Sequence, residues 1–167
     1  RVDIPAIVTE SAGRWQAHVL QADTLGEDPR LVRVLRQRLS ELGVRSEDAD
    51  TGVLVVAVGS SHAAANARTA TVAGALAAGS GWAGSEVAFA TGPQPSVLDG
   101  IGRLRRAGAR RIAIAPWFIA PGRITDRVVA VAQAAGAEMA EPLGAHRLLA
   151  ATVLDRFDRA VAQRLAA

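Results

Sequence analysis

Three short blocks of nearly continuous apolar residues punctuate the chain: GVLVVAVGS (52–60), EVAFAT (86–91) and RRIAIAPWFI (110–119). Each is rich in β-branched or small apolar residues, and the first two close on Gly-Ser and Gly92-Pro93. A strand covered on both faces has this signature, and such strands belong to parallel sheets. Between and after them the apolar positions recur every three or four residues, the spacing of a helix with one buried face. This spacing predicts helices over 62–78, 96–109 and 124–137. In the second, Val97, Leu98, Ile101 and Leu104 share a face and Gly108 marks the stop; Gly136 ends the third. EMAEPLG (138–144) reads as a short strand with a loop, and residues 146–165 as a long amphipathic helix. Alternating strands and helices predict an α/β fold: an open, mostly parallel sheet with helices on both faces, layered as in flavodoxin.

The first fifty residues follow a different order. DIPAIVTESAGRW (3–15) predicts a helix, with Asp3 as its cap and Pro5 in its first turn. A strand-like HVLQA (18–22) follows, then a Leu-Gly loop, then a long helix within 23–43 for which Asp28-Pro29 is the start signal. The end of the chain repeats this order. Leu25-Gly26, Leu31 and Arg38 align with Leu143-Gly144, Leu149 and Arg156 at a constant offset of 118 positions, and Arg1 aligns with Arg123 at an offset of 122. An internal repeat decides domain organisation. Residues 1–46 are therefore expected to be the C-terminal half of one repeat, and residues 47–167 a complete second repeat. A half repeat exposes apolar face and strand edge. The expectation is a longer two-repeat protein missing its N-terminal segment here, or completion against another copy in a homo-oligomer.

Composition narrows the class. The chain has 167 residues, no cysteine, 50% hydrophobic and 21% charged residues. Thiol nucleophiles, disulfides and Cys-ligated zinc are excluded. No apolar run reaches the length of a membrane span, and the N-terminal residues lack a signal-peptide layout, so a cytoplasmic protein without membrane contact is expected. The sequence pI of 11.1 accompanies a net charge of only +3. All nineteen basic residues are Arg and Tyr is absent, so little titrates between neutral pH and Arg deprotonation. The arginines are dispersed and not interleaved with aromatic residues, which argues against nucleic acid and for a small acidic ligand.

Three places carry candidate chemistry. In VGSSHAAANA (58–67) a strand turns into a helix, so the N–H groups of Gly59, Ser60 and Ser61 are placed to receive an anion. The spacing is not that of a Walker loop, and no lysine is present. In APWFIAPGRITDR (115–127), Gly122 and Arg123 follow another strand's carboxyl end, where ligands bind in open α/β sheets; the Arg123 guanidinium matches a carboxylate. The third set is His18, His62 and His146, without ligand spacing within any helix. His62 is the weak metal candidate because it opens the helix beside Ser60 and Ser61. A hydrolase using Ser60 or Ser61 with His62 would lack the G-x-S-x-G elbow.

Taken in order, VGSSHAAANA, APWFIAPGRITDR, LGAHRLL (with LGEDPRL in the first part) and the opening RVDIPAI resemble the repeat of the CbiX-type sirohydrochlorin ferrochelatases and cobaltochelatases, in the long two-repeat, actinobacterial-like form. The resemblance covers nearly the whole chain. It implies a chelatase-like fold and insertion of Fe2+ or Co2+ into sirohydrochlorin, a polycarboxylated tetrapyrrole, for sirohaem or cobalamin. It also implies that two metal-binding histidines would fall at Val58 and Ile124, which can hold neither metal nor proton. The complete repeat is therefore expected to be a degenerate domain with no catalytic or metal-binding residues of its own, in a chain with little activity alone. The alternative is a non-catalytic tetrapyrrole-binding or dimerisation module.

Overall fold

The computed structural model of the chain describes residues 4–15 and 19–166, with backbone alone for residues 4 and 5. It divides into two compact units, residues 26–149 and residues 1–25 with 150–167.

The larger unit is built on β1 (Thr51–Ala57), β2 (Gly84–Phe89), β3 (Arg111–Pro116) and β4 (Glu138–Met139), all parallel, in the order β2-β1-β3-β4. The three continuous apolar blocks are the three long strands, and β1 is buried at every position. α3 (Ala63–Ala77), α4 (Val97–Arg106) and α5 (Arg123–Ala134) are the crossovers, and α2 (Pro29–Glu41) precedes β1. Alternation along the strands divides the core in two. Leu54, Val56, Ile112 and Ile114 meet Val97, Ile101 and Leu104 of α4 and Val128 and Ala132 of α5. Val53, Val55, Ala113 and Ala115 point the other way, where α2 and α3 pack on the sheet and bury Leu31, Val34, Leu35, Leu39, Val72 and Leu76. The expected two-sided α/β architecture is thus realised, with an all-parallel sheet.

Local chemistry sets the element ends. Asp28 caps α2, its Oδ1 accepting from the Arg30 N–H at 2.9 Å, with Pro29 as the first helical residue. Ser96 and Asp99 form a reciprocal capping box on α4. Gly100 lets α4 approach the sheet, because a Cβ there would collide with the Leu54 side chain. β4 is short for a reason visible in β3. The Trp117 N–H donates to Val56 O, so the Pro116 nitrogen faces β4 and has no hydrogen to extend that ladder.

The smaller unit contains α1 (Ile4–Trp15) and most of α6 (Arg147–Leu165). The strand expected at 18–22 is not formed over 19–22, and His18 lies outside the described residues. A strand exists only through its ladder, and among the described residues the smaller unit holds no strand to pair with this segment. Among the described residues, no helix is long and apolar enough to cross a membrane.

Candidate functional site: the crevice between two strand ends

β1 and β3 lie side by side in register from Thr51↔Arg111 to Val56↔Pro116, so their carboxyl ends finish together. The chain leaves β1 toward β2 on one side and returns from β2 to β3 on the other, which makes this the topological switch point of the sheet. A crevice opens outside the strand ends at such a point, where ligands bind. The two segments singled out in the sequence, 58–62 and 117–123, follow these two neighbouring strand ends.

The first loop is held tightly. Val58 O accepts from the Thr91 N–H at 3.0 Å and the Thr91 hydroxyl at 2.7 Å. Gly59 has φ +94°, and a Cβ there would overlap the Gly92 carbonyl oxygen, so only glycine fits. Asn66, one turn into α3, clamps Ser60 from both sides: its Oδ1 accepts from the Ser60 N–H at 2.8 Å and its Nδ2 donates to Ser60 O at 2.7 Å. The Ser60 hydroxyl accepts from the His62 N–H at 3.1 Å. The Ser60 N–H, expected as an anion donor, is therefore occupied. His62 is the N-cap of α3, and the donors at the helix start belong to Ala63 and Ala64. Gly59, Ser60, Ser61 and Asn66 from this loop and helix, with Thr91 and Gly92 from the loop after β2, line an open cleft of about 440 Å3.

The second loop has an analogous clamp. The buried Thr125 places Oγ1 2.6 Å from both Gly122 N and Gly122 O, so the Gly122 N–H is likewise engaged. Arg123 is exposed and begins α5. Leu143 N–H donates to Phe118 O and Gly144 N–H to Ile119 O, which ties this loop to the turn before α6. Asn66 and Thr125 are the positioning residues that sequence reasoning missed. The available signal was a hydrogen-bonding side chain within the first turn or so of each crossover helix.

The positions where the resemblance puts histidines differ in setting. Val58 is 41% exposed at the tip of β1, whereas Ile124 is half-buried against the core cluster. Among the described residues, no group of three or more His, Asp or Glu side chains is placed to hold a metal ion. His146 has a structural duty: its Nδ1 accepts from the Leu148 N–H at 3.1 Å, and its Nε2 lies 3.1 Å from Gln37 Oε1. Nδ1 as acceptor assigns the proton to Nε2. The shifted carboxyls are engaged in caps and ion pairs. Asp99 is held below the usual aspartate range by the Ser96 hydroxyl and N–H, and Glu41 below the glutamate range by Arg38 and Gln37.

Residues 52–160 match the CbiX family. Among solved structures, SirB from Bacillus subtilis with Fe3+ is similar with a TM-score of 0.79 and 19% identity, over 99% of this chain and 68% of that one. The sirohydrochlorin chelatase SirB from B. subtilis subspecies spizizenii in complex with cobalt is similar with a TM-score of 0.67 and 14% identity, over 96% of this chain and 62% of that one. A CbiX protein from Marinobacter aquaeolei VT8 gives a TM-score of 0.57 and 19% identity, over 68% of this chain and 97% of that one. No curated protein matches the chain in sequence. At these identities the likeness to solved structures establishes the fold.

Proposed function

We propose, from the premise that this chain belongs to the CbiX family, that it is part of a chelatase that inserts Fe2+ or Co2+ into sirohydrochlorin. In this reading residues 47–167 are a degenerate chelatase domain, and residues 1–46 the C-terminal half of a first repeat. The metal is a substrate. The observation that carries the reading is the pair of clamped loops at the switch point between β1 and β3. Ser61, the Gly59 N–H, the first N–H groups of α3 and the Arg123 guanidinium are the groups of this crevice suited to carboxylates. Ser60 and Gly122 shape it with their N–H groups engaged internally.

Metal insertion also needs a base for the two pyrrole N–H protons and ligands that release the ion, tasks suited to imidazole. Val58 and Ile124 supply neither. The chain alone is therefore expected to bind the tetrapyrrole and insert metal slowly or not at all. The test follows the sirohydrochlorin absorption band with Co2+ added. Turnover matching a complete two-repeat relative refutes the degenerate site. Val58→His with Ile124→His is expected to create Co2+ binding in the crevice, read by titration with visible absorption; no gain in Co2+ affinity over the parent chain counts against the placement of those positions. The apolar character of Val58 and Ile124 also favours a second reading, a tetrapyrrole-binding module without turnover. Titration of sirohydrochlorin without metal, followed by addition of Co2+, separates the two: the chelatase reading expects binding with slow insertion, and the module reading binding with no metal consumed.

A further inference from the structure

The last turn of α2 and the turn at Leu143-Gly144 are joined by a continuous set of hydrogen bonds centred on Arg38. Arg38 Nη2 donates to Leu143 O at 3.1 Å, and Nη1 donates to Glu41 Oε2 at 2.8 Å. The other oxygen of Glu41 accepts from Gln37 Nε2 at 2.8 Å, and Gln37 Oε1 lies 3.1 Å from His146 Nε2. His146 Nδ1 closes the set by accepting the Leu148 N–H. With the Gln37 amide nitrogen committed to Glu41, its oxygen accepts from His146, in agreement with a proton on Nε2. Gly144 completes the fit. It has φ +67°, and a Cβ there would lie 3.2 Å from Arg38 Nη2. Glycine thus makes the turn and leaves the guanidinium its room.

That turn supports the loop after β3. Its two successive N–H groups donate to Phe118 O at 2.9 Å and Ile119 O at 2.8 Å. Trp117 is tied to Val56 O at one end of the loop and Gly122 to Thr125 at the other. Between these ends, the described backbone hydrogen bonds of the loop are the two from Leu143 and Gly144. The base from which Arg38 reaches is firm, because α2 packs on β3 and α3 with Leu35 and Leu39 buried. Leu143 is itself buried. A rigid helix, one guanidinium and one turn therefore stand in series behind the segment that leads into Arg123.

We propose that Arg38 is a positioning residue for the loop of residues 117–123. By fixing the Leu143 carbonyl it keeps the N–H groups of Leu143 and Gly144 aligned with Phe118 and Ile119. The fork of an arginine suits this task, since one guanidinium reaches Glu41 and a carbonyl together, which an ammonium does not do in a fixed geometry. Arg38 Nε is buried and has no acceptor among the described residues. That offsets part of what the fork contributes to global stability, so its effect falls on the turn and the loop. The inference rests on the chelatase reading above only in what the loop serves, which is to hold Arg123 for a substrate carboxylate.

Amide hydrogen exchange and urea unfolding of Arg38→Met in the whole chain provide the test. The Leu143 and Gly144 amides are expected to exchange at least about tenfold faster in the variant, through local opening. The amides of Val55 and Ile114 in the sheet, and the urea midpoint, are expected to keep the parent's values. Unchanged exchange at Leu143 and Gly144 overturns the proposal. A rise shared by all four amides with a lowered midpoint also ends it, because Arg38 then serves the fold alone. Should Arg38→Met not fold, Arg38→Lys, which keeps the charge and stem but loses the fork, is held to the same outcomes. Titration with sirohydrochlorin in the absence of metal adds the functional readout. Binding at least about fivefold weaker in the variant than in the parent is expected, because a loosened loop must be ordered on binding. Equal binding despite faster local exchange refutes the positioning role. A parent chain that binds no sirohydrochlorin counts against the chelatase reading, and the exchange result then decides on Arg38 by itself.

Discussion

Gly59 is fixed by backbone geometry and His146 by the hydrogen bonds of its ring. Gly59 combines φ +94° with a position where any Cβ meets the Gly92 carbonyl. Gly59→Ala is therefore expected to cost about 1–3 kcal/mol from the backbone conformation, and more if the loop after β2 must move. Urea unfolding measures the loss, and a midpoint equal to the parent's contradicts it. His146 occupies the place that Asp28 occupies 118 positions earlier. Asp28 Oδ1 accepts the N–H of Arg30 and His146 Nδ1 that of Leu148, each two residues ahead at the start of a long helix. His146, one of the three histidines without ligand spacing, thus acts as a helix cap. His146→Ala is expected to lower stability by about 1 kcal/mol, and His146→Asp to restore most of it. Equal losses from both would show that the contact with Gln37 matters more than the cap.

At the level of elements, α4 shows how local chemistry and tertiary packing agree. Its apolar face was read from Val97, Leu98, Ile101 and Leu104; Val97, Ile101 and Leu104 are buried, whereas Leu98 lies off that face and is 60% exposed. Its start is fixed by Ser96 and Asp99, whose exchange of hydrogen bonds holds the Asp99 carboxyl below its usual range. A group with a lowered folded pKa stabilises fully above its unfolded value, about 4 for aspartate, and that stabilisation is lost as pH falls through the lower folded value. Acid unfolding of the parent chain is therefore expected to include a contribution from Asp99 that Asp99→Asn removes. Stability measured from about pH 5 downward should fall less steeply in the variant; parallel curves count against the assignment. The residues at 19–22 show the limit of local reading. Their composition predicts a strand, yet without a neighbour their backbone groups form no ladder.

For the whole molecule, the sequence determined the alternation of elements, the parallel character of the sheet and the two loops that carry candidate chemistry. These follow from hydrophobic period, Gly and Pro punctuation and capping residues, which act over a few neighbours and can be read without coordinates. The match of residues 52–160 to the CbiX family agrees with the resemblance drawn from VGSSHAAANA and APWFIAPGRITDR. Only the tertiary structure decided the order β2-β1-β3-β4, and with it that the two loops follow the ends of neighbouring strands. It alone revealed that the Ser60 and Gly122 N–H groups are consumed by Asn66 and Thr125. It also placed α2 on the sheet of residues 26–149 and set Arg38 on Leu143 O and Arg156 on Leu25 O. These outcomes depend on contacts between residues far apart in the chain, as from Arg156 to Leu25, 131 positions away. The sequence marks α2 as a helix with one apolar face, but that this face covers the sheet of residues 26–149 is settled by the free energy of burying it, a quantity that exists only once the chain has folded.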